Sequence, residues 1–136
     1  MARSQAEFKL HCVIADYLRA AMPKRLLWWH TANGEARSKA TGARLKRMGV
    51  QRGMPDLFVF HDGGLIAIEI KADKGRLSPD QADVADRLVA LGAHYILARS
   101  LDDVEIGLRN RGVPLMATAS RAVPLIGRVA NAQVRA

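Results

Sequence analysis

Two apolar runs joined by His61-Asp62-Gly63-Gly64 constrain this chain more than any other stretch. Asp56–Phe60 and Leu65–Lys71 alternate with the period of half-buried strands, and Asp-Gly between them is a strong hairpin signal. A two-residue turn on Asp62 and Gly63 pairs Leu57 with Ile68 and Val59 with Ile66, and it sets Asp56 opposite Glu69. Residues so opposed have Cβ atoms ~4.5–5.5 Å apart. Lys71 shares their face because strand side chains alternate. The other face collects Leu57, Val59, Ile66, Ile68 and Ile70, a uniformly apolar set that belongs in a core. The charged face is itself divided. Phe58, Phe60, Leu65 and Ala67 occupy its turn end, and Asp56, Glu69 and Lys71 the far end.

Two carboxylates facing each other across paired strands repel, so pairing gives no reason to place them there. A divalent cation would give one, because hard cations take carboxylate oxygens and keep waters for substrate phosphates. Lys71, one pleat further on, could then orient or activate a water and stabilise negative charge developing on phosphorus. Two other readings of these residues stay open. Lys71 could form salt bridges with both acids as a structural charge network. A turn of a different length would slip the register and carry Asp56 to the opposite face.

Around the hairpin, residues 5–22 read as an amphipathic helix with Leu10, Val13, Ile14, Tyr17, Leu18 and Ala21 at helical spacing, capped by Ser4 and ended by Pro23. Leu26–His30 reads as a strand, broken by Asn33-Gly34, and a short helix is expected near Ala40–Met48. Ser78-Pro79-Asp80-Gln81 opens a helix that runs to about Leu91. His94–Arg99 makes a fourth strand and Leu101–Arg111 a final helix. Pro114–Ala117 could add an edge strand. The order implies an α/β fold, a small mixed β-sheet flanked by helices. Residues 1–112 are read as the folded domain and 113–136 as a basic C-terminal extension, partly disordered or supplying that edge strand.

Charge narrows the function. Twenty-one Lys and Arg against thirteen Asp and Glu give +8, and six of the basic residues (Arg37, Lys39, Arg44, Lys46, Arg47, Arg52) lie between Glu35 and Met54. A polyanion is the natural partner, since neutralising phosphates releases counterions; a surface that merely aids solubility or meets a membrane is the blander reading. That stretch is expected to stay mobile until an anion contacts it. With 49% hydrophobic residues the chain can bury a core, and with one cysteine it has neither an internal disulfide nor a cysteine zinc cluster. No run has the length of a signal peptide or membrane span, so a soluble, cytoplasmic protein with no membrane partner is expected.

Gly53-Met54-Pro55-Asp56, then Ile68-Glu69-Ile70-Lys71, then Gln81 resembles the PD-(D/E)xK nuclease signature. More narrowly the chain resembles the VRR-NUC subfamily, through Glu7 on the first helix, Trp28-Trp29-His30-Thr31 running into Asn33-Gly34, and Lys46-Arg47-Met48-Gly49-Val50 before the Pro-Asp. Gly75-Arg76-Leu77-Ser78 and Leu91-Gly92-Ala93 continue the series, so the resemblance covers residues 4 to about 112. It implies an αβββαβα restriction-endonuclease-like core and phosphodiester hydrolysis dependent on Mg2+ or Mn2+. Asp56, Glu69, the backbone carbonyl of Ile70 and Glu7 would hold the metal, Lys71 would position the attacking water, and Gln81 would complete the site. Asn33, Arg37, Lys39, Arg44, Lys46, Arg47 and Arg52 would contact DNA. Short members of this kind are similar to Holliday-junction resolvases, which implies a homodimer acting on branched DNA.

Competing readings remain for several of these residues. Gln81 and Glu7 each sit three residues after a serine, where a capping role is possible. His30 could touch phosphate or simply end a strand, and no histidine spacing suggests zinc. Trp28 and Trp29 should point to opposite faces, one into the core and the other able to stack on a base only if exposed. The rival functions are a non-catalytic DNA-binding module and a structural subunit that retains the fold.

Overall fold

The hairpin forms in the register that a two-residue turn dictates. In the computed structural model, which describes residues 4–32 and 38–119, strands β2 (Leu57–His61) and β3 (Gly64–Ile70) pair antiparallel from His61↔Gly64 to Leu57↔Ile68. Gly64 sits at φ +116°, a conformation that L side chains rarely adopt. Arg25 clamps the turn by gripping both carboxylate oxygens of Asp62, at 3.0 and 2.7 Å.

The core explains why the register holds. Leu57, Val59, Ile66, Ile68 and Ile70 are all fully buried. Burying such a side chain contributes ~1.5–3 kcal/mol, so a slip that turned all five outward would cost on the order of 10 kcal/mol. That rivals the whole stability of a domain.

Helix α1 (Gln5–Ala21) is capped by the Ser4 side chain and buries Ile14, Tyr17, Leu18 and Ala21 against this face. Val104 and Leu108 of α4 (Leu101–Asn110) join the same cluster. Strand β1 (Leu27–His30) pairs antiparallel with β2, and β4 (His94–Ala98) pairs parallel with β3, giving the order β1-β2-β3-β4. Helix α3 (Pro79–Ala90) makes the crossover that a parallel pair requires. Its buried residues, Val84 and Ala85, lie outside the main cluster, as do Phe58 and Ala67, so they form a second layer on the far side of the sheet. Helix α2 (Lys39–Arg47) buries no residue at all. This is the α/β fold read from the sequence, a four-stranded mixed sheet flanked by helices with a restriction-endonuclease-like core.

The C-terminal expectation needs correction. Pro114–Ala117 form no strand. Val113 and Leu115 instead enter the core, Met116 N–H donates to the Ala21 carbonyl at 2.7 Å, and the Tyr17 hydroxyl donates to the Ala117 carbonyl at 2.8 Å. Backbone bonds to the ends of both α1 and α4, with two buried side chains, hold the segment in place of strand pairing. The folded unit thus runs past residue 112 to 119, where the Ala119 N–H donates to Glu105. Among the described residues no helix is long and apolar enough to cross a membrane.

Candidate functional site

Pro55 brings the β2–β3 ladder to an end. The paired positions stop at Leu57↔Ile68, one position short of Asp56 and Glu69. The next backbone donor, Ile70 N–H, is taken at 2.8 Å by the Asp56 side chain, which replaces the missing ladder partner. From the other side the Asp56 carbonyl accepts from Thr31 N–H at 2.9 Å. His30 Nδ1 lies 2.8 Å from the same carbonyl. A carbonyl can only accept, so this nitrogen carries the proton. Asp56 is therefore pinned by backbone and ring contacts on both flanks, and it is only 5% exposed. His30 is a holder of Asp56, and its ring packs edge-on against His11 with centroids 4.6 Å apart.

Glu69 is 3% exposed. Its Oε2 accepts from Gln81 Nε2 at 3.0 Å and lies 3.8 Å from Lys71 Nζ. Gln81 both caps its helix and reaches Glu69, because the amide has two ends. Gln81 Oε1 accepts from Ser78 N–H at 2.9 Å while the Ser78 hydroxyl accepts from Gln81 N–H, which closes a capping box. The amide nitrogen is left to reach Glu69.

Glu7 also serves its cap, donating its N–H to Ser4. Its Oε2 and Lys71 Cδ both stand 3.4 Å from the point where a side chain on Gly75 would begin, so the two flank one spot. Among the described residues no three of His, Cys, Asp and Glu are gathered closely enough to hold a metal. Glu7 stands beside Lys71.

Tyr95 went unnoticed in the sequence. On β4 it pairs with Ala67 of β3, two residues from Glu69, and its buried hydroxyl has no hydrogen-bond partner among the described residues. Burial first, then the charges of Glu69 and Asp56, hold this phenol above its usual range. The tyrosine was visible within a strand, but the register of a parallel pair is not set by a short turn, so its place beside Glu69 was not.

The positive charge lies at the same end. Leu45 of α2 lines an apolar hollow of about 450 Å³ with Thr31, Ala32, Gly49, Val50, Gln51 and Met54. The hollow ties α2 to the segment that ends in Asp56. Lys39, Arg44, Lys46 and Arg47 project from a helix with no acid in its first turn and no buried residue. Arg52 lies 3.7 Å from Asp80, with both side chains well exposed, a contact of little energetic weight. Asn33 and Arg37, also expected to meet DNA, lie outside the described residues.

A mixed four-stranded sheet with two buried carboxylates and a lysine at one end defines a nuclease-type α/β domain. A profile of the VRR-NUC domain matches residues 13–102. The chain belongs to the VRR-NUC domain family, within the PD-(D/E)xK nuclease superfamily. The match takes in Asp56, Glu69, Lys71 and Gln81 and begins after Glu7. Among solved structures, one described as a VRR_NUC domain protein is 21% identical with a TM-score of 0.55, over 81% of this chain and 90% of that one. A second, described as a VRR_NUC domain, is 20% identical with a TM-score of 0.51, over 79% and 97%. At these identities the likeness shows the fold. No curated protein matches the chain.

Proposed function

We propose that this nuclease-type domain is a divalent-metal-dependent DNA endonuclease acting on structured or branched DNA such as Holliday junctions. One observation carries the reading: Asp56 and Glu69 are buried together at one end of the sheet with Lys71 Nζ 3.8 Å from Glu69. Burying two carboxylates at one end of a sheet is costly, and a bound cation offsets that cost. Two oxygen donors at a site opening toward substrate suit a hard cation such as Mg2+ or Mn2+, which completes its shell with water and phosphate. The donor set lacks the sulfur and imidazole ligands of a structural zinc centre.

Asp56, Glu69 and the Ile70 backbone carbonyl would hold the ion, which when bound supplies charge stabilisation at the phosphoryl oxygens. Lys71 orients the attacking water and faces the negative charge that develops as its oxygen bonds to phosphorus and the ester oxygen departs. Gln81 keeps Glu69 in place through its amide, and Glu7 steadies the Lys71 side chain from α1. The basic face of α2 follows the phosphate backbone. A chain with one such site cuts one strand, so symmetric cleavage of a junction calls for a homodimer.

The test is a cleavage panel of Holliday junction, flap, splayed arm, duplex and single strand with Mg2+, with Mn2+ and with chelator. Metal-dependent cutting of at least one branched substrate is expected. Binding without cleavage under every condition points to a DNA-binding module, and cleavage that survives chelator contradicts the metal.

A further inference from the structure

The sheet face that carries Asp56 and Glu69 also presents exposed aromatic surface. Leu27, Trp29 and Phe60 there are 62%, 42% and 51% exposed. Trp29 pairs with Phe58 across β1 and β2, and their rings stack with centroids 5.5 Å apart and 26° between planes. Phe58 is buried beneath this stack while the indole remains open to solvent. The stack therefore fixes the plane of an exposed indole. Two residues on, just past the end of β1, the Thr31 N–H donates to the Asp56 carbonyl. Trp29 thus lies one strand repeat, about 6.8 Å, from the level of Asp56.

We infer that Trp29 is a stacking platform for an unpaired nucleobase whose strand passes its backbone phosphate to Asp56, Glu69 and Lys71. This rests on the nuclease reading and adds a substrate class to it. A base inside a duplex has both faces covered by its neighbours, so only an unstacked base can lie on the indole. Single strands, flaps and branch points supply one. The surroundings suit a polyanion, because Leu45 of basic α2 lines the same hollow as Thr31 and Ala32 at the end of β1. A second copy of the chain is the other conceivable occupant. Three partly exposed side chains offer at most a few hundred Å², well short of the ~800 Å² per partner of a stable interface.

The experiment is fluorescence titration of the Trp28→Phe protein, in which Trp29 is the remaining indole, with short oligothymidylate in Ca2+ across a salt series. Trp29→Ala and Trp29→Phe are compared in parallel by anisotropy and sedimentation. Stacking predicts quenching of Trp29 on binding. It predicts a roughly 5- to 100-fold weaker Kd for Trp29→Ala, a much smaller loss for Trp29→Phe, and an unchanged salt slope because no phosphate contact is removed. The ratio of branched to duplex cleavage should fall in Trp29→Ala. Unquenched binding, or wild-type affinity in Trp29→Ala, overturns the platform while leaving the nuclease reading intact. A dimer that becomes monomeric in Trp29→Ala assigns the face to a second copy instead. Failure of the wild-type protein to bind any DNA overturns both.

Discussion

At the scale of single residues, Gln81 carries the clearest lesson. Its sequence position three after Ser78 supported a cap, and its helical face supported a site, and the geometry uses opposite ends of one amide for the two tasks. The roles can be separated. Gln81→Glu keeps an acceptor for the Ser78 N–H but loses the donor to Glu69 and sets a like charge beside it. Cleavage should fall about 10- to 100-fold, the scale of a hydrogen bond to a charged group, while the unfolding midpoint shifts little. Gln81→Ala removes both contacts and should also lower stability by about 1 kcal/mol in denaturant unfolding. Lys71→Ala should abolish hydrolysis and leave DNA affinity, read by anisotropy, within about threefold, because the α2 cations remain. The two tyrosines offer a second contrast. Tyr17 donates to the Ala117 carbonyl, whereas the Tyr95 hydroxyl is buried without a partner among the described residues. Tyr17→Phe should therefore cost about 1 kcal/mol, and Tyr95→Phe should leave the denaturant midpoint unchanged or higher.

At the scale of elements, what was legible followed from local chemistry. The β2–β3 register was readable because a two-residue turn and five core side chains enforce the same pairing, and the helices were readable because Ser4, Ser78 and Pro79 mark their starts. The parallel partner was not, since a crossover helix leaves register to packing, and Tyr95 was hidden for that reason. The segment after α4 was not legible because its pattern weakens from Val113 onward, while Val113 and Leu115 enter the cluster under α1. Nor does spacing show that Gly53 holds the motif to α3. At φ +80° a side chain there would come within 2.5 Å of the Asp80 carbonyl oxygen, so the segment leading to Asp56 runs against the first turn that carries Gln81. Gly53→Ala should cost about 1–3 kcal/mol and reduce cleavage by displacing these two elements. Gly42, inside α2 with nothing within 4 Å, is the control. Gly42→Ala should stabilise by about 0.5–1 kcal/mol. Thermal unfolding beside cleavage rates reads both.

At the scale of the whole molecule, the sheet separates two environments. One face is sealed by α1, α4 and the 113–119 strap, while the other is covered by α3 near β4 and carries the buried acids at its open end. Both tyrosines are raised above the ordinary phenol value of 10.0, chiefly by burial. A raised folded-state value means that the unfolded chain releases these protons first. The stabilisation is complete below pH 10 and is lost as pH climbs beyond it. Tyrosinate absorbance should thus rise in one step that coincides with loss of secondary structure by circular dichroism; independent titration of either phenol in the folded chain contradicts that burial. For the central claim, calorimetric titration of Mn2+ into the wild-type protein, Asp56→Ala and Glu69→Ala is the most direct measurement. Saturable binding by the wild type that disappears in both variants, with each still folded, is the predicted result, and equal Mn2+ binding in all three, or none in the wild type, contradicts a metal centre on these carboxylates.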